Sequence, residues 1–421
     1  MPSAERTVSA HPLTRRTSSA RSAPVWALAV AVVLAALNLR TAVTSVGPLL
    51  EELERDIGLS GVLAGLLTTL PVISFAVLGA LTPKLAHHVG EQRLLAIGLA
   101  LMTTGLALRA LVSTAWPFLL LSVLALVGGA MGNVLLPVLV KRNFAAHVGR
   151  MTAAYTTALA VGATLAAAVS VPLATRGGRI DWRFGLGAWA VLAAVAAVVW
   201  LLLPGGQRAA AGGVQRVRLS MRRSSTAWAL AIFFGTQSLQ AYVAFGWFAL
   251  FFREQAGVSG ARAGLLVAVL AGLTIPISVV IPALAARMRS QRPLIVFLVG
   301  CYVLAYAGMI VAPRGGAWVW AVLIGIGSGC FPLALTMIGL RTRTPEGTVA
   351  LSAFAQSVGY LLAGVGPLLV GVLRAATGGW GGVFVLLYAA LAVMAVAGWQ
   401  VACPRFVEDD LPTPTTPHLP H

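Results

Sequence analysis

The sequence predicts an all-α membrane protein: twelve transmembrane helices in two pseudo-symmetric six-helix bundles. Three observations predict it. The first is composition, with 58% of the 421 residues hydrophobic, 10% charged and a mean hydropathy of +0.89, outside the range of soluble domains. The second is a series of apolar segments, each close to the roughly 20 residues that a helix needs to cross a bilayer. The third is an internal repeat: a shift of 199 positions lays Gly58–Leu67 on Gly257–Leu266.

Taken in order, the apolar segments place spans near 25–50, 61–83, 93–112, 116–140, 150–175, 183–203, 227–252, 261–286, 293–313, 316–340, 348–374 and 380–402. None has an Asp, Glu or His at its middle. The first carries Arg40, about 15 residues in and too deep for easy snorkelling. An Arg at the centre of a spanning helix costs about 2.5–3.5 kcal/mol to insert, so it marks a functional site by default. A buried cation without a buried carboxylate suits an anion, or a ligand with strong partial negative charge, and is poorly equipped for proton relay. The alternative role for Arg40 is structural, bonded to carbonyls or to neighbouring Gln and Asn. Thr44 lies one turn on and shares its face; Asn38, Thr41 and Ser45 form an adjoining polar stripe.

The same 199-residue shift puts Pro83 on Pro282, Gln92 on Gln291, Arg93 on Arg292 and Arg142 on Arg341 without a gap. The chain therefore divides into a polar N-terminus read as disordered and cytoplasmic (1–22), a first bundle (23–203), a basic cytoplasmic linker (204–226), a second bundle (227–403) and a tail read as disordered (404–421). The first apolar run is too long for a signal peptide and is read as an uncleaved helix.

A net charge of +18 would suggest nucleic acid in a soluble chain. Here most of the Lys and Arg falls on one side of the spans, and the positive-inside bias puts both termini in the cytoplasm. No nucleic-acid partner follows; the partners are the lipid bilayer and a small-molecule substrate, with the chain read as a monomer. Glu51, Glu52, Glu54 and Asp56 collect in the first outer loop, while Arg176, Arg179 and Arg183 form an outer trio that is either solvated or an anion collector. Arg109, at the outer end of span 3, is read as snorkelling, with ligand binding as the alternative. Cys301, Cys330 and Cys403 are widely separated and show neither a disulfide framework nor a metal-ligand spacing. With no Gly-rich phosphate loop, metal cluster or nucleophile–base pair, neither an enzyme nor a cofactor is expected.

Five stretches in order carry a family likeness. They are Asn38-Leu39-Arg40-Thr41 to Ser45-Val46-Gly47-Pro48; Gly132-Asn133-Val134-Leu135-Leu136-Pro137 with Lys141-Arg142; Phe233 to Leu239 with Tyr242 and Trp247; Phe331 to Leu335 with Gly339-Leu340-Arg341; and Ala355 to Tyr360 with Gly366-Pro367. Over residues 25–402 the chain resembles the cyanate/2-nitroimidazole transporter branch of the major facilitator superfamily. The loop between spans 2 and 3 departs from the superfamily's Gly-x-x-x-Asp-Arg-x-Gly pattern. It reads Gly79 to Gly90 without an Asp, so a gate latched through that carboxylate is not expected.

The resemblance implies a secondary carrier of the bacterial cytoplasmic membrane, working by alternating access on a small solute held between the halves. The expected solute is an anion such as cyanate, with efflux of a nitroheterocycle or other drug as the rival; the duplication speaks against a channel or a receptor. In that fold spans 1, 4, 7 and 11 line the cavity, which makes Arg40, Asn38, Thr44, Asn133, Gln237, Tyr242, Gln356 and Tyr360 the candidate substrate contacts. For Asn133 the competing role is helix–helix hydrogen bonding. Trp247 is read as a packing aromatic. Lys141, Arg142 and Arg341, at the inner helix ends, are either positive-inside anchors or gate contacts.

Overall fold

The computed structural model describes residues 24–203 and 221–410. The sequence-predicted segments 1–22 and most of 204–226 lie outside them. Among the described residues, twelve helical spans cross the molecule. Span 1 is segmented (Val25–Asn38, Thr41–Thr44, Gly47–Leu49 and Leu50–Asp56). The others are span 2 (Gly61–Val89), span 3 (Glu91–Arg109), span 4 (Ala115–Asn143), span 5 (Val148–Ala174), span 6 (Trp182–Gly187 and Trp189–Leu202), span 7 (Ser225–Ala256), span 8 (Gly260–Arg287), span 9 (Arg292–Val311), span 10 (Ala317–Gly327 and Cys330–Leu340), span 11 (Pro345–Thr377) and span 12 (Gly381–Val401). Ten of these are long and apolar enough to cross a membrane by themselves; spans 3 and 7, richer in polar groups, are the other two. A two-residue hairpin, Thr175–Arg176 against Arg179–Ile180, joins spans 5 and 6.

Spans 1 to 6 pack as one bundle and spans 7 to 12 as the other. The two meet where span 2 lies on span 11 and span 5 on span 8. Small residues set the approach, as helix pairs in lipid require: Gly61 and Gly65 rest on Leu368 and Gly371, Thr69 donates to the Gly364 carbonyl at 3.1 Å, and Gly264 rests on Ala167. Glycine contacts of this kind reach from the end that bears Glu51–Asp56 as far as Val72/Gly364 and Thr164/Gly272. Beyond, toward the end that bears Lys141 and Arg341, polar side chains such as Asn133, Thr156 and Ser357 are exposed. One end of the interface is sealed, and the other is open.

Span 1 breaks twice. Asn38 donates to the Leu34 carbonyl at 2.8 Å and to Leu192 of span 6 at 3.3 Å, while Leu39 N–H turns back to Ala36. Thr41 Oγ1 then donates to the Asn38 carbonyl and Thr44 Oγ1 to the Arg40 carbonyl, both at 3.0 Å. Irregular backbone at membrane depth is tolerated only when its polar groups find partners, and short polar side chains supply them here. Span 5 clamps the segment just before the break, where a Cβ on Gly162 would collide with the Leu37 carbonyl.

The described chain also extends past the expected boundary at 403. Residues 404–410 fold back on the open end, with Val407–Asp410 as a 3₁₀ turn. The reason is electrostatic. Glu408 accepts the Arg343 and Thr344 N–H groups, Asp409 pairs with Arg343, and Asp410 accepts from Ser224 and from the Thr226 N–H. Residues 411–421 lie outside the described part.

Candidate functional site

The break in span 1 leaves Arg40 at the start of the short Thr41–Thr44 helix, partly exposed between the two halves. Among the described residues its guanidinium makes no ion pair and no side-chain hydrogen bond. It sits close enough to the phenols of Tyr242 (span 7) and Tyr360 (span 11) to act on both electrostatically, and the two phenols act on each other. Tyr360 is held edge-on against Phe234, ring centroids 5.2 Å apart. A cation from one half thus acts on two phenols of the other, one of them packed on the buried Phe234 ring, and among the described residues no carboxylate pairs with it. That arrangement can hold a small group with negative charge or strongly negative oxygen atoms, flanked by flat surfaces.

The remaining expected contacts divide. Asn38 and Thr44 are fully buried and spend their donors on backbone, so they shape the break instead of facing the gap. Asn133 is exposed on span 4 toward the open end. Gln237 is buried; its amide donates to Ser238 Oγ at 2.7 Å and leaves Oε1 without a partner. Gln356 is partly buried and donates to Ser352 Oγ at 2.8 Å. The structure therefore brings together Arg40, Tyr242 and Tyr360, and it does not bring Asn38 or Thr44 to the same surface.

The residues considered as gates lie within their own halves. Arg142 pairs with Glu91 at 2.7 Å, at the start of span 3. Its repeat mate Arg341 bonds to the carbonyls of Val401 and Ala402 and to Gln291 Oε1. Lys141 is exposed. Each of these arginines ties the end of one helix to the start of another, at equivalent places in the two repeats.

What joins the halves is at the sealed end, and the site assignments from sequence missed it. Arg253, near the end of span 7, grips Glu52 with two bonds of 2.8 and 2.9 Å and reaches Glu51 at 2.8 Å. Arg374 of span 11 sits between Glu54 at 3.6 Å and Glu254 at 2.5 Å, over the rings of Trp247 and Trp380. Glu52 is 1% exposed and Arg253 13%, so this latch is largely out of water. The repeat carried the signal: the 199-residue shift lays Glu54-Arg55 on Arg253-Glu254, a reversal of sign at equivalent positions.

Arg109 also differs from expectation. It does not snorkel: it is 1% exposed, lies over the Phe118 ring and turns inward to the second break of span 1. There the Val46 N–H bonds to Val43, and Arg109 donates to the Ala42 carbonyl and to Ser45 Oγ, each at 3.4 Å. Of the outer trio, Arg183 stacks on Trp182 and bonds to the Val112 carbonyl and Ser113.

Residues 28–367 match the family model described as Major Facilitator Superfamily. The chain belongs to that superfamily. It is 38% identical over 387 residues to an uncharacterized transporter, YycB, of Bacillus subtilis, covering 90% of this chain and 94% of that one. It is 36% identical to the 2-nitroimidazole transporter of Escherichia coli (84% and 89% covered) and 29% identical to the cyanate transport protein CynX of the same organism (89% and 96%). Among solved structures, a bacterial homologue of a lysosomal transporter, Spinster, superposes with a TM-score of 0.74 over 93% of this chain and 98% of the other, at 15% identity. The cyanate/2-nitroimidazole branch expected from sequence is thereby its place in the superfamily. This multi-pass membrane protein is a transporter of a small molecule and not an enzyme.

Proposed function

We propose that the transported solute is a small anion such as cyanate, and that Arg40 is its charge partner. The observation that carries this reading is an unpaired, partly exposed guanidinium at a helix break, facing the opposite half where the sealed end gives way to the open end. Cyanate and a nitro group both present small, electron-rich ends, which is why the two named relatives are compatible with one type of site. Tyr242 and Tyr360 supply hydroxyl donors, and Asn133, Gln237 and Gln356 further polar contacts as the halves rock. A second reading, efflux of a nitroheterocycle, is favoured by the partly exposed Tyr360 ring, which buried Phe234 holds edge-on within electrostatic reach of the cation.

The setting is a bacterial cytoplasmic membrane, with both termini and the linker on the inner side and the chain acting as a monomer. The domain limits follow as bundles at 23–203 and 227–403. The distribution of Lys and Arg supports this orientation. The sealed end then faces out, so the conformation is inward-open. Lys141, Arg142 and Arg341 would close against the other half in the outward-open state.

Counterflow in proteoliposomes tests the function. Vesicles loaded with unlabelled cyanate should transiently concentrate labelled cyanate, a behaviour of carriers and not of channels. A thermal-shift series with cyanate, nitrate and 2-nitroimidazole ranks the solutes, because a binder stabilises by mass action. If neutral nitroheterocycles alone stabilise the protein and undergo counterflow, the anion reading fails and the second one stands.

A further inference from the structure

A second cation is buried apart from Arg40. Arg109 has no carboxylate within ion-pair distance among the described residues, and its two hydrogen bonds, both 3.4 Å, are long for charge-assisted bonds. Its Nε–H has no partner. Beside it lies a chamber of about 20 Å³, walled by Ala42, Val43, Val46, Leu67, Pro71, Leu126 and Gly246 and entered by the polar side chains of Arg109, Ser122, Thr68 and Tyr242. Ser122, 2% exposed, also leaves its hydroxyl without a partner. Thr68 Oγ1 is engaged with the Ala64 and Gly65 carbonyls of its own helix.

The chamber therefore presents one permanent cation, two hydroxyl groups and no competing carboxylate. A space of that size admits about one water-sized particle. A buried unpaired charge is destabilising by several kcal/mol unless a counter-charge and hydrogen bonds accompany it. Uncharged water would satisfy the donors but not the charge.

We propose that this chamber is a binding site for a single small inorganic anion of the halide class, held by Arg109 Nε–H with the hydroxyls of Ser122 and Tyr242. The anion neutralises Arg109 where it braces the second break of span 1. Tyr242 lines the chamber and also faces Arg40, so the resident anion sets the orientation of a residue of the transport site. The site stands whether or not Arg40 binds the transported solute.

The test uses full-length protein in lipid nanodiscs, exchanged into gluconate and then titrated with sodium chloride or sodium bromide, with sodium gluconate as the ionic-strength control. A saturable rise in melting temperature with halide is expected, together with an anomalous bromide peak beside Arg109 in crystals grown in bromide. Arg109→Gln, which keeps a hydrogen-bonding head without charge, should lose the halide-dependent rise; Ser122→Ala should weaken halide affinity about tenfold. Arg40→Gln should keep the rise, which separates this site from the transport site. A melting temperature indifferent to halide, or a halide response kept by Arg109→Gln but lost by Arg40→Gln, would overturn the proposal and leave water in the chamber.

Discussion

Spans 1 and 7 occupy equivalent places in the two repeats, and they solve opposite problems. The 199-residue shift pairs Asn38 with Gln237, Arg40 with Leu239 and Gly47 with Gly246. Span 7 is an unbroken helix of 32 residues, 24 of them buried, with Gln240 tied to Leu387 and Tyr306. Span 1 comes apart at Leu39–Arg40 and again at Ser45–Val46, repaired by Asn38, Thr41, Thr44 and Arg109. One half thus supplies a continuous wall and the other a partly exposed cation at a break. At their far ends the relation is complementary, since the acids of span 1 meet the Arg of span 7. A duplicated fold can diverge at its middle to make a site while pairing at its ends to make a seal.

The strongest way to break this comparison is to move the charge. Arg40→Ala should lower affinity for an anionic solute by about ten- to a hundredfold, the worth of a charged hydrogen-bonded contact of about 1.5–3 kcal/mol. The melting temperature should hold or rise, because the about 2.5–3.5 kcal/mol insertion cost disappears. Arg40→Lys should retain only part of the affinity, having lost the planar fork of donors. Arg40→Leu combined with Leu239→Arg should not rescue binding, because Leu239 is packed on Gly366 within a continuous helix. Unchanged anion affinity in Arg40→Ala would remove Arg40 from the site, and a rescue by the double variant would make the two spans interchangeable.

Next in size is the seal. Arg253→Ala leaves Glu52 buried without its partner, which should disfavour the sealed arrangement by about 3–5 kcal/mol. In a background lacking Cys301, Cys330 and Cys403, a cysteine in place of Val46 should become reactive to an impermeant thiol reagent applied from the Glu51 side. The exchange of Arg253→Glu with Glu52→Arg should protect it again. Labelling that is equal with and without Arg253 would show that the helix contacts alone close this end.

The crossing of the two spans gives a smaller, sharper contrast. A Cβ on Gly47 would collide with the Phe245 carbonyl, whereas one on Gly246 would meet the Thr68 methyl group at 2.7 Å. Overpacking of this kind costs about 1–3 kcal/mol. Transport lost in Gly246→Ala should return in part when Thr68→Ser removes that methyl and leaves the Thr68 Cβ contact at 2.9 Å, while no such change should restore Gly47→Ala. Equal rescue of both, or of neither, would contradict the asymmetry seen between backbone and side-chain contacts.

Much of this was legible in the sequence because hydrophobic length and duplication act over whole segments. The spans and the two halves followed from them. The roles of Asn38 and Thr44 did not, because a polar residue beside a helix break bonds to backbone, and a single pattern of letters cannot show a break. Arg109 was misplaced for a related reason: its depth depends on span 1 freeing the Ala42 carbonyl. The seal was readable only by comparing the repeats residue by residue at Glu54-Arg55 and Arg253-Glu254, where sign and not hydropathy is the signal.

The smallest effect concerns how the two spans begin. Span 1 starts at Pro24 without a side-chain cap, whereas span 7 is capped twice, by Ser224 Oγ to Ala227 N–H at 3.1 Å and by Asp410 to Thr226 N–H at 2.9 Å. A carboxylate at a helix N-terminus is stabilised by the orphan N–H groups and the helix dipole. For Asp410, partial burial pulls the pKa upward, but hydrogen bonds from Thr226, Ser224 and Ser225 outweigh it and hold the group below its ordinary value. A depressed pKa in the folded state means stability that is present above the unfolded value of about 3.9 and lost as pH falls through the folded one. Asp410→Asn should therefore lower the melting temperature slightly at pH 7, by the equivalent of less than about 1 kcal/mol because the carboxylate remains largely in water. The gap between the two proteins should close as pH drops below about 4. A gap of the same size at pH 3 and pH 7 would mean that the amide fails for lack of a second acceptor and not for lack of charge, and span 7 would then owe its cap to geometry alone.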